Sequence, residues 1–379
     1  MPGPEARAHS DRLVVYIAER IAAAGGWLSF ADYMAMALYE PGLGYYTAGA
    51  HKLGAAGDFV TAPELTPIFG QAVAAQVAEV LRQTGGNVLE LGAGSGRLAL
   101  DMLRELERLD CLPERYLILE VSADLRQRQQ VLISAEIPHL SERVVWLDGL
   151  PERVHGVVLG NEVLDALPVH LVRWYEGGLY ERGVVLTPQG GFGWQDRLLE
   201  SGALFEAAQI LPVGSTDYLS EINLAAPALV HSLAERLDRG LILFIDYGFP
   251  RREYYHPDRK AGTLMCHYRH HAFDDPFFLP GLTDITAHID FTAIADAALD
   301  AGLDVLGYAD QAHFLLNCGA LTCLERFSVG SVPYHKQAAA LNRLLMPAEM
   351  GELFKVVALA SGVDGPLMCF MQGDRRHVL

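Results

Sequence analysis

The sequence predicts an α/β fold: an open, mainly parallel sheet with helices on both faces, preceded by a helical extension and interrupted by an antiparallel insertion. Three observations predict it. From residue 87 to about residue 161, short apolar runs alternate with helical patterns, the rhythm of consecutive βα units. Near residue 170 that rhythm gives way to alternating residues and paired glycines, which read as antiparallel hairpins. The first 86 residues carry helical patterns around a loop dense in glycine and aromatic residues.

Taken in order, residues 12–24 read as a helix, and Ser29 with Asp32 has the spacing of a capping box that opens a second helix. The loop "EPGLGYYTAGAHKLGAAGDFVTAPE" is too long for a simple turn and reads as functional. Thr66 and Pro67 form an N-cap and first-turn pair for a helix to about Gln83, closed by Gly85 and Gly86. "NVLEL" is then a buried strand, Arg97 to about Leu109 a helix, and "RYLILEV" a second strand. Ala123 to about Ser134 is a helix, "RVVWL" a third strand, and "GVVLGNEVLD" a fourth strand ending in a turn. The antiparallel insertion covers about residues 170–217, a helix is expected from about Tyr218 to Leu237, and "GLILFIDYGF" is the fifth strand. "GLDVLGYA" and "PLMCFMQG" are expected to supply the remaining strands. The domain reading is an N-terminal extension over residues 1–86 and a main domain over residues 87–379.

At 379 residues the chain can bury a sizeable core. Its apolar runs never reach the length a membrane span needs, and the N-terminus has neither a signal-peptide nor a transit-peptide pattern. Five dispersed cysteines without a CxxC pair indicate neither a disulfide framework nor a zinc cage. The expectation is a cytoplasmic protein without a metal. A formal net charge of −18, with 47 acidic against 29 basic residues, opposes binding of nucleic acid and accommodates a cationic partner.

In an open parallel sheet, ligands bind beyond the carboxyl ends of the strands. The residues at those ends are Glu90, Gly92, Gly94 and Gly96 after the first strand, Glu120 after the second, Asp148 after the third, Asn161 and Glu162 after the fourth, and Asp246 after the fifth. A dinucleotide fingerprint requires glycine where Arg97 stands. The spacing G-x-G-x-G with an acid just upstream suits a cofactor that carries no phosphate but presents an ammonium group. S-adenosylmethionine fits: its amino end is expected near Glu90, its ribose hydroxyls near Glu120 and its adenine near Asp148. The glycines alone are equally compatible with an ordinary strand-to-helix turn, and Glu120 alone with a solvated strand end; their succession at adjacent strand ends is what points to a nucleoside.

The stretches "YEPGLGYYT", "GDFVTAPELTPIFG", "LELGAGSG", "NEVLDALPV", "FIDYG" and "GTLMCHYRHH" followed by "DITAHIDF" occur in this order along nearly the whole chain. In them the chain resembles the MidA-like methyltransferases, whose mitochondrial member symmetrically dimethylates an arginine of a respiratory complex I subunit. The resemblance implies a class I, Rossmann-like methyltransferase fold with S-adenosyl-L-methionine as methyl donor, a protein substrate, and a substrate channel built by the N-terminal segment and the insertion, with a further contribution from about residues 250–292. One departure is Met265, where a basic residue is expected.

Beside that resemblance, Glu162 and Asp165 are three residues apart, so one helical turn brings both carboxylates to one side. Paired carboxylates match the planar, five-donor guanidinium, and with Asn161 they are the expected catalytic residues. Gly57, Asp58, Phe59, Thr61 and Pro63 read as a cofactor lid. Tyr45 and Tyr46 offer ring faces to a cationic side chain, and Asp246, His270, Asp284, Thr286 and Asp290 are assigned to the substrate channel. The cluster "HYRHH" is read as packed or hydrogen-bonded histidines, since methyl transfer needs no metal. Three alternatives stay open: a cofactor-binding assembly factor with little turnover, a methyltransferase acting on another nitrogen or oxygen substrate, and a nicotinamide-dependent oxidoreductase, against which Arg97 argues. A homodimer is compatible with the sequence.

Overall fold

The structure, a computed structural model, describes residues 2–48, 61–213 and 217–379. In chain order it contains α1 (Pro4–Ala23), β1 (Leu28–Ser29), α2 (Phe30–Tyr39), α3 (Ala62–Leu65), α4 (Pro67–Thr84), β2 (Asn87–Leu91), α5 (Arg97–Arg108), β3 (Tyr116–Leu119), α6 (Ala123–Glu136), β4 (Val144–Leu147) and β5 (Val154–Asn161). There follow β6 (His170–Tyr175), β7 (Gly178–Leu186), β8 (Phe192–Leu198), α7 (Ala203–Gln209), β9 (Asp217–Ile222), α8 (Ala225–Ala234), β10 (Leu237–Phe249) and α9 (Arg251–Tyr254). The last elements are β11 (Met265–Tyr268), β12 (His271–Phe273), β13 (Asp284–Thr286), β14 (Ile289–Asp290), α10 (Phe291–Asp300), β15 (Asp304–Asp310), α11 (Gln311–Asn317), α12 (Ala320–Leu324), α13 (Val332–Leu345) and β16 (Phe354–Ser361). No described helix is long and apolar enough to cross a membrane.

Two compact units divide the chain: Met1–Ala50, Leu164–Ala228 and Phe249–Asp290 form the first, and His51–Val163, Leu229–Gly248 and Phe291–Leu379 the second. The N-terminal extension is therefore split. Described residues up to Ala48 fold with the insertion, whereas α3 and α4 belong to the second unit.

The second unit carries the sheet that the βα rhythm predicts, in the order β15-β16-β10-β5-β2-β3-β4. Strands β10, β5, β2, β3 and β4 are parallel, and β16 runs antiparallel to both β10 and β15. The helix signals hold where their hydrogen bonds can form. Thr66 Oγ1 accepts the Ile68 amide at 3.1 Å, and Gly85, at φ 71°, ends α4 with its amide on Leu81 O. A core of Val, Leu, Ile and Ala from β2, β5, β10 and β16 packs against α4 and α5, which is why these strands read as continuous apolar runs. The final strand is Phe354–Ser361, not "PLMCFMQG", where Met368–Phe370 forms a single 3₁₀ turn. The strand was obscured by Lys355, which is buried and donates to the Glu352 and Leu353 carbonyls.

In the first unit β1, β7, β6 and β9 form an antiparallel sheet, with β8 paired to β7. The expected helix from Tyr218 to Leu237 is corrected. Residues 217–222 are β9, paired with β6 in the register His170↔Ile222, and α8 begins only after Asn223, whose Oδ1 accepts the Ala226 amide at 2.8 Å. Strand pairing overrides helical propensity here. Ser29 Oγ accepts the Asp32 amide at 3.0 Å and donates to its carboxylate at 2.6 Å, as the capping-box spacing predicts. A second sheet, β12-β11-β13, follows from the histidine-rich stretch. The motif "GTL" within that stretch wraps a buried carboxylate: Glu221 accepts the amides of Thr263 and Leu264 at 3.0 Å and the Tyr254 hydroxyl at 3.1 Å.

Candidate active site

At the tip of β2 the chain enters the glycine loop. Gly92, Gly94 and Gly96 all have positive φ, of 61°, 54° and 81°, a region closed to most side chains. Gly96 is the N-cap of α5, and a Cβ there would stand 3.1 Å from Gln129 Cγ. Arg97 is the exposed first residue of that helix, so the third glycine of a dinucleotide loop has no counterpart in the backbone.

Upstream of the loop, Glu90 is 2% exposed and accepts the Tyr116 hydroxyl at 2.7 Å. Burial pushes its carboxyl up to about 7, against the lowering effect of that hydrogen bond. Asp101 on α5 is likewise pushed up by burial, to about 6. Because its folded-state value lies above the ordinary 4.5, Glu90 contributes stability that is complete below about pH 4.5, declines as pH rises to about 7, and is absent above. The expected size is on the order of 3 kcal/mol. Thermal unfolding followed from about pH 5 to about pH 7 should therefore show a steeper loss for the wild type than for Glu90→Gln, with Asp101 contributing the same sign to both; equal slopes would refute the assignment.

Glu120 stands just beyond β3. Its carboxylate accepts the Ser122 amide and Gln129 Nε2, each at 3.0 Å, and a backbone hydrogen bond from Gly94. Gln129 is fully buried on α6 and ties the site together: Nε2 also donates to Gly94 O at 2.8 Å, while Oε1 accepts Trp146 Nε1 at 2.9 Å. Sequence reasoning missed Gln129. Its signal was a polar residue midway between Leu125 and Ile133 on the buried stripe of α6. Asp148, beyond β4, is 90% exposed and pairs with Arg126 at 2.5 Å.

Of the lid residues, Gly57, Asp58 and Phe59 lie outside the described residues. Thr61 is the N-cap of α3 without a side-chain cap bond, and Pro63 is buried in its first turn. Glu64, which follows them, accepts the hydroxyl of Ser95 in the glycine loop; this anchor was not anticipated either.

Asn161 ends β5 and Glu162 follows it. Asn161 Nδ2 donates to Glu162 Oε1 at 3.2 Å. Asn161 Oδ1 is buried and has no hydrogen-bond partner among the described residues. Glu162 adopts φ 53°, unusual for a residue with a side chain. Asp246 does not line an open channel in this unit: it is 1% exposed and turned onto the backbone amides of Val163 and Tyr247.

The remaining predicted residues fall in the first unit, Asp165 among them. Asp165 is 5% exposed, and its carbonyl accepts the Ala287 amide at 3.0 Å. Tyr46 donates to Asp284 at 3.0 Å, with both residues buried or half-buried, and its ring stacks on Tyr39 at 5.5 Å. Tyr45 is 1% exposed and packs edge-on to Tyr46 at 5.0 Å, so it is a core ring and not a channel wall. Thr286 is buried on β13 and Asp290 is paired with Arg251 at 3.0 Å. His270 is an exposed residue of the turn between β11 and β12, at φ 64°. No group of three or more His, Cys, Asp or Glu is placed to hold a metal ion among the described residues.

Comparison with known proteins gives a consistent picture. A family model described as S-adenosyl-L-methionine-dependent methyltransferase matches residues 72–309. The mitochondrial protein arginine methyltransferase NDUFAF7 homolog of Drosophila melanogaster is 30% identical over 372 residues, covering 89% of this chain and 82% of that protein. Human NDUFAF7, named a mitochondrial protein arginine methyltransferase, is 28% identical over 88% of this chain and 80% of that protein. A Burkholderia thailandensis protein crystallised with S-adenosyl-homocysteine is 46% identical, with a TM-score of 0.97 over 100% of this chain and 99% of that one.

Proposed function

This chain belongs to the family of S-adenosyl-L-methionine-dependent methyltransferases whose model it matches, and we propose that its acceptor is an arginine side chain of a protein, carried to the symmetric dimethyl state. The observation that carries the reading is the buried, unpartnered Asn161 Oδ1 beside the Glu162 carboxylate at the end of β5. An unpartnered amide oxygen on one residue and a carboxylate on the next suit a group that brings several N–H donors and no acceptor, which describes guanidinium. The names of the NDUFAF7 relatives support the same substrate class.

The donor set fits S-adenosylmethionine. Positive-φ glycines leave the backbone of the loop bare at the tip of β2, Glu90 offers a carboxyl for the amino end, Glu120 an acceptor for the ribose hydroxyls, and Asp148 lies at the third strand end for the adenine. Thr61 and Pro63, with Gly57, Asp58 and Phe59, are assigned to the cover over that nucleoside. When bound, the cofactor supplies a methyl group activated on a sulfonium.

The chain's own residues then have two tasks. An arginine side chain has a pKa above about 12 and arrives protonated. Asn161 and Glu162 orient one of its nitrogens by accepting the neighbouring N–H groups, and Glu162 takes the proton that nitrogen releases on methylation. Alignment of nitrogen with the methyl carbon supplies the larger part of the rate. The proposed target is a respiratory complex I subunit or its bacterial counterpart.

The test is mass spectrometry of respiratory-complex subunits from cells with and without this chain. The expected result is an arginine that carries two methyl groups only when the chain is present. Methylation confined to another residue type would replace the arginine reading, and a chain that binds S-adenosylhomocysteine while changing no protein mass would favour the assembly-factor alternative.

A further inference from the structure

We propose that Asp246 is a positioning residue for methyl transfer: its buried carboxylate clamps the backbone of the strained turn on which Asn161 and Glu162 stand. The inference rests on the reading of those two residues as acceptor-site groups. Strands β5 and β10 are parallel with Ile245 opposite Asn161, and the last rung of their ladder is the Glu162 amide donating to Ile245 O at 2.9 Å.

There the backbone leaves the sheet, because Glu162 takes φ 53°. A left-handed conformation at a residue with a Cβ is strained and persists only where the surroundings fix it. The next amide, Val163, is met by the Asp246 side chain: Oδ2 accepts it at 3.2 Å, while Oδ1 accepts the Tyr247 amide at 2.9 Å. An ionised acceptor makes a stronger bond to an amide than a carbonyl does. Asp246 thus extends the ladder by one rung after the backbone has turned away.

Two glycines mark how closely other strands approach the same turn. A Cβ built on Gly160 would stand 2.8 Å from the Phe244 ring, so β5 lies close against β10 just before the turn. A Cβ built on Gly92 would stand 3.5 Å from Val163 Cγ2, so the clamped residue is also a neighbour of the glycine loop. Across the sheet, the register partner of Asp246 on β16 is Lys355, itself 5% exposed. The clamped turn therefore lies beside the strand end assigned to the cofactor.

The test uses the full chain with Asp246→Ala and Asp246→Asn. Three quantities are measured: affinity for S-adenosylhomocysteine, the initial rate of tritium transfer from labelled S-adenosylmethionine to protein extracted from cells lacking the chain, and crystal structures with S-adenosylhomocysteine. For Asp246→Ala the transfer rate at saturating cofactor is expected to fall by about 10- to 100-fold, as a misplaced acceptor group implies. The cofactor KM and S-adenosylhomocysteine affinity should stay within about threefold, and Glu162 should leave the left-handed region. Asp246→Asn keeps one acceptor oxygen and is expected to lower the rate by only about three- to tenfold. An Asp246→Ala structure with Glu162 still at positive φ overturns the clamp, whatever the chemistry of Glu162 proves to be. Failure of the acceptor-site reading is a separate result, seen as full turnover by Glu162→Gln. If the alanine variant does not fold, the asparagine variant decides: a rate lowered about three- to tenfold with the cofactor KM unchanged supports the clamp, and an unchanged rate overturns it.

Discussion

Replacing Gly94 by valine is expected to weaken S-adenosylhomocysteine binding by at least about 100-fold, on the order of the 3 kcal/mol that a displaced loop and a filled site together imply. Gly94 has φ 54°, where a β-branched residue is strained by about 1–2 kcal/mol. Relief of that strain requires the peptide to rotate, and both sides of this residue are engaged: its carbonyl accepts Gln129 Nε2 at 2.8 Å and its backbone amide serves Glu120. A rotated loop would withdraw support from the acid assigned to the ribose, and an unrotated one would project two methyl groups into the space assigned to the methionine portion. Either outcome removes binding. Gly85→Val is the control. Gly85 has φ 71° with no atom within 4 Å of an added Cβ and closes α4 away from the strand tips, so it carries the strain without the occlusion. Calorimetric titration of both variants separates the two causes, and an unchanged affinity in Gly94→Val would refute the assigned loop.

The same loop shows what a sequence can disclose. The glycines and the acids at successive strand ends were legible because each lies at a fixed offset from a buried apolar run, and burial on both faces makes those runs conspicuous. The N-caps at Ser29 and Thr66 were legible for a related reason, since a cap acts over two or three residues. Residues that act at long range were not. Gln129 meets Gly94 and Trp146, Glu64 meets Ser95, and Asp246 meets Val163, and nothing local to any of them specifies its partner. The sequence pattern of β9 does not disclose its pairing with β6, a strand far back in the chain that meets it in the register Tyr175↔Asp217, with an ion pair between Arg173 and Asp217. The substrate-channel assignments were weakest for the same physical reason: Tyr45, Asp284, Thr286 and Asp290 are buried or paired within their own unit, and a polar residue that satisfies a core looks, in sequence, like one that awaits a ligand.

Glu162→Gln is expected to retain the cofactor and lose methyl transfer by about 10²- to 10⁴-fold, the range associated with removing a positioned general base. Glutamine preserves the length and planarity of the side chain and can still accept from Asn161 Nδ2, so the turn at φ 53° and its amide bond to Ile245 O need not change. What is lost is the negative charge opposite an arriving cation and the capacity to take its proton. The proton cannot simply stay: a guanidinium nitrogen that accepts a methyl group must give up a hydrogen to restore the planar cation, and water is a poor acceptor once the site is closed. Asn161→Ala, which removes the unpartnered Oδ1 but leaves the carboxylate, should cost less, about tenfold, because orientation suffers while proton acceptance survives. The ordering is the decisive feature. With S-adenosylhomocysteine affinity unchanged in both variants, a glutamine enzyme slower than the alanine one identifies Glu162 as the proton acceptor, whereas full turnover in Glu162→Gln removes it from the mechanism and leaves the acceptor site to be sought elsewhere along the strand tips.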